Sequence, residues 1–506
     1  MAGKRIQIVG DQLVVPNDPA AANLIGEAVG THIPHRVDTT RLLRNLGYII
    51  PAPIWTQYDW PDNPPPFRTQ KVTAALLQMN PRAYVLSEMG TGKTRAALYA
   101  CDHMLKTSQI KRVLVVAPLS TLSQVWDYEI YRYFGHWSAG VVHGTRAKRQ
   151  GVLKESHEFY IINHDGLQTV MPELLSMKWD VVIIDEVGAF RNKQTERWKR
   201  MNKIVVNTEY VWGMTGSPTP NEPTDAWGLA KLITPRNAPR YMSEFKKRTM
   251  TQITQFKWIP KPDSKDTVFK MLQPAVRYKR DDCIELPPVS YKTVELDQSS
   301  QIKMTYKKMM TALRTAFQEG RISAANEGVL FMKLLQISCG WVYTDKKGIV
   351  RLDNTERVNE VRSIVDDSLG KILVFVNFKH AAEGLHERLL KQKINAALVH
   401  GGTNKRRRDQ IFTAFQHSDT PRVLVAHPQC MAHGLTLTAA NTIVWFTPTT
   451  SLEIYEQANA RITRPGQDKK SLIIHLTGTP IERKIYKRLQ QRAGLQGALL
   501  DMFDDN

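Results

Sequence analysis

From Phe67 onward, short uninterrupted apolar runs alternate with longer stretches whose apolar residues recur at helical spacing. Five runs come first: "AYVLSE", "RVLVVAP", "FYIINH", "DVVIID" and "YVWGMTG". Five more follow after a gap: "KILVFVNF", "NAALVHGG", "RVLVAHP", "NTIVWFT" and "SLIIHLT". A strand with one wet face alternates apolar and polar residues, whereas a strand covered on both faces is apolar throughout. Runs of the second kind, separated by helices, predict an α/β fold with parallel sheets covered on both sides. The gap, Pro235–Gly370, is more charged and more helical, with "IKMTYKKMMTALRTAF" and "GVLFMKLLQISCG". The expected organisation is therefore two α/β lobes, 63–235 and 370–506, with helical insertions and a linker over 236–369.

The first 62 residues follow another pattern and form an N-terminal accessory region. "KRIQIVGDQLVV" reads as a hairpin around Gly10-Asp11. "DTTRLLRNLGY" reads as a short helix, with Asp38 or Thr39 as cap and Gly47 as stop. The proline- and aromatic-rich stretch Pro51–Pro66 marks a boundary or a clamped connector. Two readings stand for this region: a small domain that recognises DNA junctions or single-strand ends, and a packing extension of the first lobe. No internal repeat or long low-complexity tract interrupts the chain.

Composition narrows the function. No apolar run approaches the roughly 18 residues of a membrane span, and the opening run is broken by Gly10, Asp11 and Gln12, unlike a signal peptide. The four cysteines, Cys101, Cys283, Cys339 and Cys430, are scattered without a CxxC pair, which argues against a disulfide framework or a Cys-based zinc site. His164 and the other histidines show no metal-ligand spacing. A soluble cytoplasmic protein is expected. Lys and Arg number 69 against 48 Asp and Glu. That excess suggests a polyanionic partner, nucleic acid before anionic membrane.

Three stretches carry chemistry. "AYVLSEMGTGKTRAALYA" reads as strand, glycine-containing loop and helix, the context of a phosphate-binding loop. Backbone N–H groups of Gly90, Thr91 and Gly92 would cradle phosphate, Lys93 would reach the β/γ oxygens of ATP, and Thr94 would ligate Mg²⁺. Ser87 stands where the strict motif has its first glycine. "WDVVIIDEVGAF" then places Asp185 and Glu186 at a strand end, suited to Mg²⁺ and to orienting the attacking water. Finally, "QANARITRPGQ" sets Arg461 and Arg464 three residues apart, on one face if the stretch is helical. Such guanidinium groups can stabilise charge developing on a transferred γ-phosphate, so hydrolysis would be tied to closure of the two lobes.

In this order the motifs resemble the SNF2-like branch of superfamily 2 helicases and DNA translocases, over roughly Phe67–Arg492. The resemblance implies two RecA-like lobes and a DNA-stimulated ATPase using ATP and Mg²⁺. It assigns Gln70 in "FRTQ" to reading adenine. "SEMGTGKT" is similar to the family's "DEMGLGKT". "VLVVAPLSTLSQVWDYEI" resembles the next motif, with Pro118, Leu119, Ser120, Trp126 and Glu129 in place. "VVHG" and "IINHDGL" follow on the DNA side, and "GMTGSPTPN" resembles the element that couples hydrolysis to movement, through Thr215, Gly216 and Ser217. In the second lobe, Gly434 and Gln457 are the matching coupling positions. By the same resemblance DNA backbone contacts fall to Ser120, His143 and Asn163, and to Asn377, Gly402, Thr403 and Thr436. The chain departs from the family twice. Gly188 and Thr463 occupy positions where relatives carry histidines, one in each lobe.

The expected function is an ATP-driven motor on double-stranded or branched DNA in replication, recombination or repair, gripping the backbone without regard to sequence. A strand-separating DNA or RNA helicase is the alternative within the superfamily. An ATP-gated DNA clamp, or the motor subunit of a restriction-type complex, is the alternative of another class. Lys405-Arg406-Arg407-Arg408 is either extra electrostatic grip or a solvated helix face. The C-terminal "LLDMF", Leu499–Phe503, reads as a helix end with a frayed acidic tail; the alternative is a sliding-clamp peptide, since it is similar to those of bacterial replication proteins although it lacks their glutamine. A monomer, nucleoid-associated in a bacterial or phage-infected cell, is expected.

Overall fold

The computed structural model describes residues 4–254, 258–283, 287–318, 324–344, 348–431, 436–464 and 466–501. The side chains of 313–328, 330 and 494–501 are not described. Contacts divide the chain into a first unit, Met1–Ile284 with Gln496–Asn506, and a second, Glu285–Leu495.

The N-terminal region forms strands β1 (Lys4–Arg5), β2 (Ile8–Val9), β3 (Gln12–Val14), β4 (His32–Pro34) and β5 (Tyr48–Ile49). The expected hairpin is present: Ile8 pairs Leu13 and Val9 pairs Gln12, with Gly10 at φ +60° in the turn. β4 extends it to three strands. The expected helix spans Val37–Asn45, but its cap differs. Arg36 is the N-cap, and the Thr39 hydroxyl accepts its backbone N–H, so the helix starts ahead of Asp38. Leu13, Val15, Ala21, Ile33, Leu43, Tyr48 and Ile50 give the region a core of its own. It nevertheless belongs to the first unit. Arg41 donates to the Met79 carbonyl at 2.7 Å and to the Tyr210 hydroxyl at 3.2 Å. The connector is indeed clamped. The Ile54 amide donates to Gln78, and the Tyr58 hydroxyl donates to buried Asp102. Lys106, His136 and Trp137 also donate to Asp102. Burial pushes that carboxyl up, but these hydrogen bonds outweigh it and hold it below the usual carboxylate range.

The first unit is built on a seven-stranded sheet. Its members are β6 (Arg82–Val85), β7 (Val113–Ala117), β8 (Ala139–Val142), β9 (Phe159–Asn163), β10 (Val181–Asp185), β11 (Tyr210–Met214) and β14 (Ala275–Val276). The order is β14-β6-β11-β10-β7-β9-β8, and every pairing is parallel. All five predicted runs are strands here. Their residues are almost all buried because helices cover both faces. β12 (Met250–Gln252) and β13 (Trp258–Pro260) form a separate antiparallel pair.

The second unit has a six-stranded sheet of β15 (Val289–Glu295), β18 (Lys371–Phe375), β19 (Ala396–Val399), β20 (Val423–Ala426), β21 (Ala440–Trp445) and β22 (Ser471–Thr477). Its order is β15-β22-β21-β18-β20-β19, again all parallel. β16 (Trp341–Tyr343) and β17 (Ile349–Arg351) make a small hairpin. The five later runs are all strands. The expected linker over 236–369 has a different outline, since β14 completes the first sheet and β15 edges the second. These two strands were missed because β14 is only two residues long and β15 is mostly exposed and polar. Among the described residues no helix is long and apolar enough to cross a membrane.

One buried ion pair anchors the second unit. Arg357 lies 2.8 Å from Glu482, and both are essentially unexposed. Glu482 also accepts the backbone N–H groups of Gly478 and Thr479 and the Thr479 hydroxyl. Glu482→Ala would strand a buried guanidinium, which costs about 3–5 kcal/mol. Denaturant unfolding of the full chain should show that loss, and a loss below about 1 kcal/mol would contradict it.

Candidate nucleotide-binding site

The site lies in the first unit, at the carboxyl ends of β6, β10 and β11. A parallel sheet presents the loops that follow its strands along one edge, and ligands bind there. β11 sits between β6 and β10, so three loops converge: 86–92, 186–190 and 215–217.

After β6 the chain turns through Gly90 (φ +89°) and Gly92 (φ +76°) into the helix Lys93–Lys106. Both glycines adopt the left-handed conformation that a side chain resists. Gly92 is further constrained. A Cβ there would stand 2.3 Å from Nε2 of Gln70, whose amide donates to the Gly92 carbonyl at 3.2 Å. Gln70 in turn accepts the Phe67 backbone N–H at 2.9 Å. Gln70 is thus a buried strut under the loop. Lys93 Nζ donates to the carbonyls of Ser87 and Glu88 at 2.7 and 2.9 Å, and the Thr91 hydroxyl donates to Glu88. The sequence departure at Ser87 also has a physical reason. Its hydroxyl accepts the Tyr278 backbone N–H at 3.0 Å, fastening the segment after β14 to the base of the loop.

Asp185 ends β10. Its Oδ2 accepts the Trp126 indole N–H at 3.0 Å, and Oδ1 accepts the Glu186 backbone N–H. Burial raises its pKa, and the Trp126 bond and the nearby Lys93 charge oppose the rise. Trp126 comes from a π-helical turn, Leu122–Asp127, a local widening common at functional positions. Glu186 takes the left-handed conformation (φ +50°, ψ +54°), a costly backbone for a non-glycine residue. The His164 imidazole donates to the Asp185 carbonyl at 2.9 Å, and burial pushes its pKa down to about 4. A neutral ring is the form that suits this bond. Sequence reading missed this role, since a histidine distant in sequence shows no signal of it.

The third loop closes the group. The Thr215 backbone N–H donates to the Val85 carbonyl, and its hydroxyl accepts the Ser217 N–H. A Cβ at Gly216 would lie 3.5 Å from the Ser87 carbonyl, and one at Gly188 would lie 3.8 Å from the Ser217 carbonyl. Gly188 therefore faces the 215–217 loop.

Other expected positions separate by their surroundings. Ser120 is half-buried and His143 is exposed. Asn163 is 8 % exposed, and its side-chain oxygen accepts from Arg149. Arg149, which sequence reading passed over, also donates to the Val142 and Gly144 carbonyls. It therefore ties the "VVHG" and "IINHDGL" stretches together. In the second unit the Asn377 side chain donates to the Thr447 and Pro448 carbonyls, while Gly402 and Thr436 are exposed and Thr403 is half-buried. Gln457 is buried and donates to Glu453. Gly434 lies outside the described residues, as do Met502 and Phe503 and the other side chains of the "LLDMF" segment.

The helical reading of the arginine pair is corrected. The helix is Leu452–Asn459, and both arginines lie in the turns beyond it. The Trp445 indole donates to Asn459 at 2.9 Å, tying the helix end to β21. Arg461 is 1 % exposed, with Nε donating to the Gln457 carbonyl. Arg464 is half-buried, with Nε donating to the Ala460 carbonyl and Nη1 at 3.5 Å from the Thr436 hydroxyl. Thr463 is buried.

Among the described residues no cluster of His, Cys, Asp and Glu is placed to hold a metal ion by itself. Mg²⁺ bound with a nucleotide needs no such cluster, because phosphates and waters supply most of its ligands. The Thr94 hydroxyl, in the first turn of the helix, and the Asp185 carboxylate are oxygen donors that fit this role.

The SNF2-related domain model matches residues 71–339, and the helicase conserved C-terminal domain model matches 356–466. The chain belongs to the family defined by the SNF2-related domain, with a helicase conserved C-terminal domain. It is 26 % identical over 453 residues to putative protein p41 of Acyrthosiphon pisum secondary endosymbiont phage 1, covering 83 % of this chain and 94 % of that protein. It is 23 % identical to an uncharacterized ATP-dependent helicase of Mycoplasma genitalium, covering 81 % of this chain and 39 % of the helicase. Human chromodomain-helicase-DNA-binding protein 7 is 24 % identical over 82 % of this chain and 15 % of its own length. The chain thus spans only a minor part of the last two. The Sulfolobus solfataricus SWI2/SNF2 ATPase core in complex with dsDNA aligns with a TM-score of 0.42 and 19 % identity, over 87 % of this chain and 93 % of that one.

The indole bond to Asp185 yields a pH test. A hydrogen bond to the ionised carboxylate lowers its pKa, so Trp126→Phe should raise it. If ionised Asp185 is needed, hydrolysis is lost as pH falls through that pKa. The acidic limb of the pH–rate profile should therefore move to higher pH in Trp126→Phe. An unmoved limb in a folded variant would show that Asp185 does not govern it.

Proposed function

We propose that this chain is an ATP-driven motor that translocates on double-stranded or branched DNA, in replication, recombination or repair. The observation that carries the reading is the convergence of Lys93, Asp185, the strained Glu186 and the 215–217 loop at one sheet edge. Lys93 exchanges the Ser87 and Glu88 carbonyls for phosphate oxygens. Thr94 and Asp185 would hold Mg²⁺, which would supply neutralisation of phosphate charge. Glu186 orients the attacking water and takes up its proton. Gln70 reads adenine while bracing Gly92. Thr215, Gly216, Ser217, Gly434 and Gln457 pass the state of the nucleotide to the DNA-binding surfaces.

Arg464, the less buried of the pair, supplies the charge that stabilises the transferring phosphoryl group. Arg461 holds the turn that carries it. Ser120, His143, Gly402, Thr403 and Thr436 contact the DNA backbone, while Asn163 and Asn377 position the loops beside them. The excess of basic residues supports a phosphate-backbone partner. The phage relative supports a compact motor of a bacterial or phage-infected cell. A clamp-binding role for Leu499–Phe503 belongs to the same proposal.

The test is steady-state ATP hydrolysis by the full chain with no nucleic acid, duplex DNA, a fork, single strands and RNA, at two salt concentrations. Stimulation by duplex or fork that falls with salt is expected. Stimulation only by single strands or RNA would replace the translocase with a helicase. No stimulation would favour an ATP-gated grip. Lys93→Ala should abolish hydrolysis. Arg464→Ala should lower kcat by roughly 10³-fold with nucleotide binding retained.

A further inference from the structure

The segment after β14 is fastened to the phosphate loop from a distance of about 190 residues in sequence. The Leu86 N–H donates to the Val276 carbonyl at 2.8 Å, and the Glu88 N–H to the Tyr278 carbonyl at 3.0 Å. In return the Tyr278 N–H donates to the Ser87 hydroxyl, and the Arg280 N–H to the Glu88 carboxylate at 3.1 Å. Four hydrogen bonds thus set the strap 276–280 rigidly along the loop. A short 3₁₀ turn, Arg280–Asp282, ends it, with the Asp282 carboxylate accepting the Lys279 N–H.

This registry brings the Arg280 side chain to the loop's glycine. A Cβ on Gly90 would stand 3.8 Å from Arg280 Cδ. The side chain is 19 % exposed, a partly desolvated setting, and its Nε lies 3.9 Å from the carboxylate of the well-exposed Asp281. The strap also manages the acidic residue at this edge. Glu88 would repel a polyanion, but its carboxylate accepts the Arg280 amide and lies 3.7 Å from the buried Arg277 guanidinium. One arginine thus offsets Glu88 while the other lies against Gly90. A guanidinium there presents a planar fork that matches phosphate oxygens.

We propose that Arg280 is a phosphate-binding residue of the nucleotide site, carried to the loop by the strap. This rests on the reading that residues 87–94 bind ATP. Its role differs from that of Arg464, because Arg280 belongs to the same unit as the loop and acts on binding.

The test measures affinity of the full chain for a fluorescent ADP, with Mg²⁺, in wild type, Lys93→Ala, Arg280→Met and Arg280→Lys. Methionine keeps an apolar stem against Gly90 without the charge, and lysine keeps a charge. Arg280→Met should bind roughly tenfold more weakly, the equivalent of about 1.4 kcal/mol. Arg280→Lys should recover part of that loss, and both variants should unfold at the wild-type midpoint. If Arg280→Met stays within twofold of wild type while Lys93→Ala loses binding, the loop reading stands and the Arg280 proposal is overturned. Equal weakening by Met and Lys would mark a packing effect and would also overturn it. If wild type binds no fluorescent ADP, the loop reading itself fails, and the proposal with it.

Discussion

A parallel strand cannot return to its neighbour through a tight hairpin. It must leave the sheet by a loop at its carboxyl end and come back through a crossover. This constraint shapes the first unit. Helical crossovers cover both faces of the sheet, so its strands are apolar throughout. Polar chemistry is driven to the edge where the strands end. Because β11 lies between β6 and β10, the phosphate loop and the acidic pair are held one strand apart, with the 215–217 loop between them.

The site is built from backbone that most residues would refuse. Gly92 has no room for a Cβ beside Gln70, and Glu186 keeps a left-handed conformation without being glycine. Such conformations persist only where neighbours over-determine them. Those neighbours are visible: Trp126 and His164 on Asp185, Thr215 on β6, and Tyr278 on Ser87. Gly188 stands beside the 215–217 loop, while the bonds on the Asp185 carboxylate come from the Trp126 indole and the Glu186 amide.

The N-terminal region is fastened to the first unit while keeping a small core. It has a core and a sheet of its own, yet Arg41 and the Tyr58–Asp102 bond fasten it to the first unit. The aromatic connector does this work. Tyr58, Trp60, Tyr99 and Phe134 pack edge to face in series, with the Lys71 ammonium over Trp60. The aromatic side chains of this proline-rich stretch are spent largely on packing.

The sequence by itself determined the strands, their parallel sheets and the chemical vocabulary of the site. Ten apolar runs became ten strands because burial on both faces leaves a direct mark on composition. Lys93, Asp185 and Glu186 were legible because their chemistry demands those residue types next to a strand end. What the tertiary structure alone decided depends on contacts between residues far apart in sequence. Trp126 and His164 on Asp185, Arg149 across two loops, and the strap 276–280 on the phosphate loop leave no local pattern. Their hydrogen bonds exist only once the sheet has brought the strand ends together. Short or exposed strands such as β14 and β15 were hidden for the same reason, since pairing with a neighbour, not their own composition, makes them strands. The end of the helix before Arg461 was likewise set by tertiary contacts, where Trp445 holds Asn459, and not by the spacing of the two arginines.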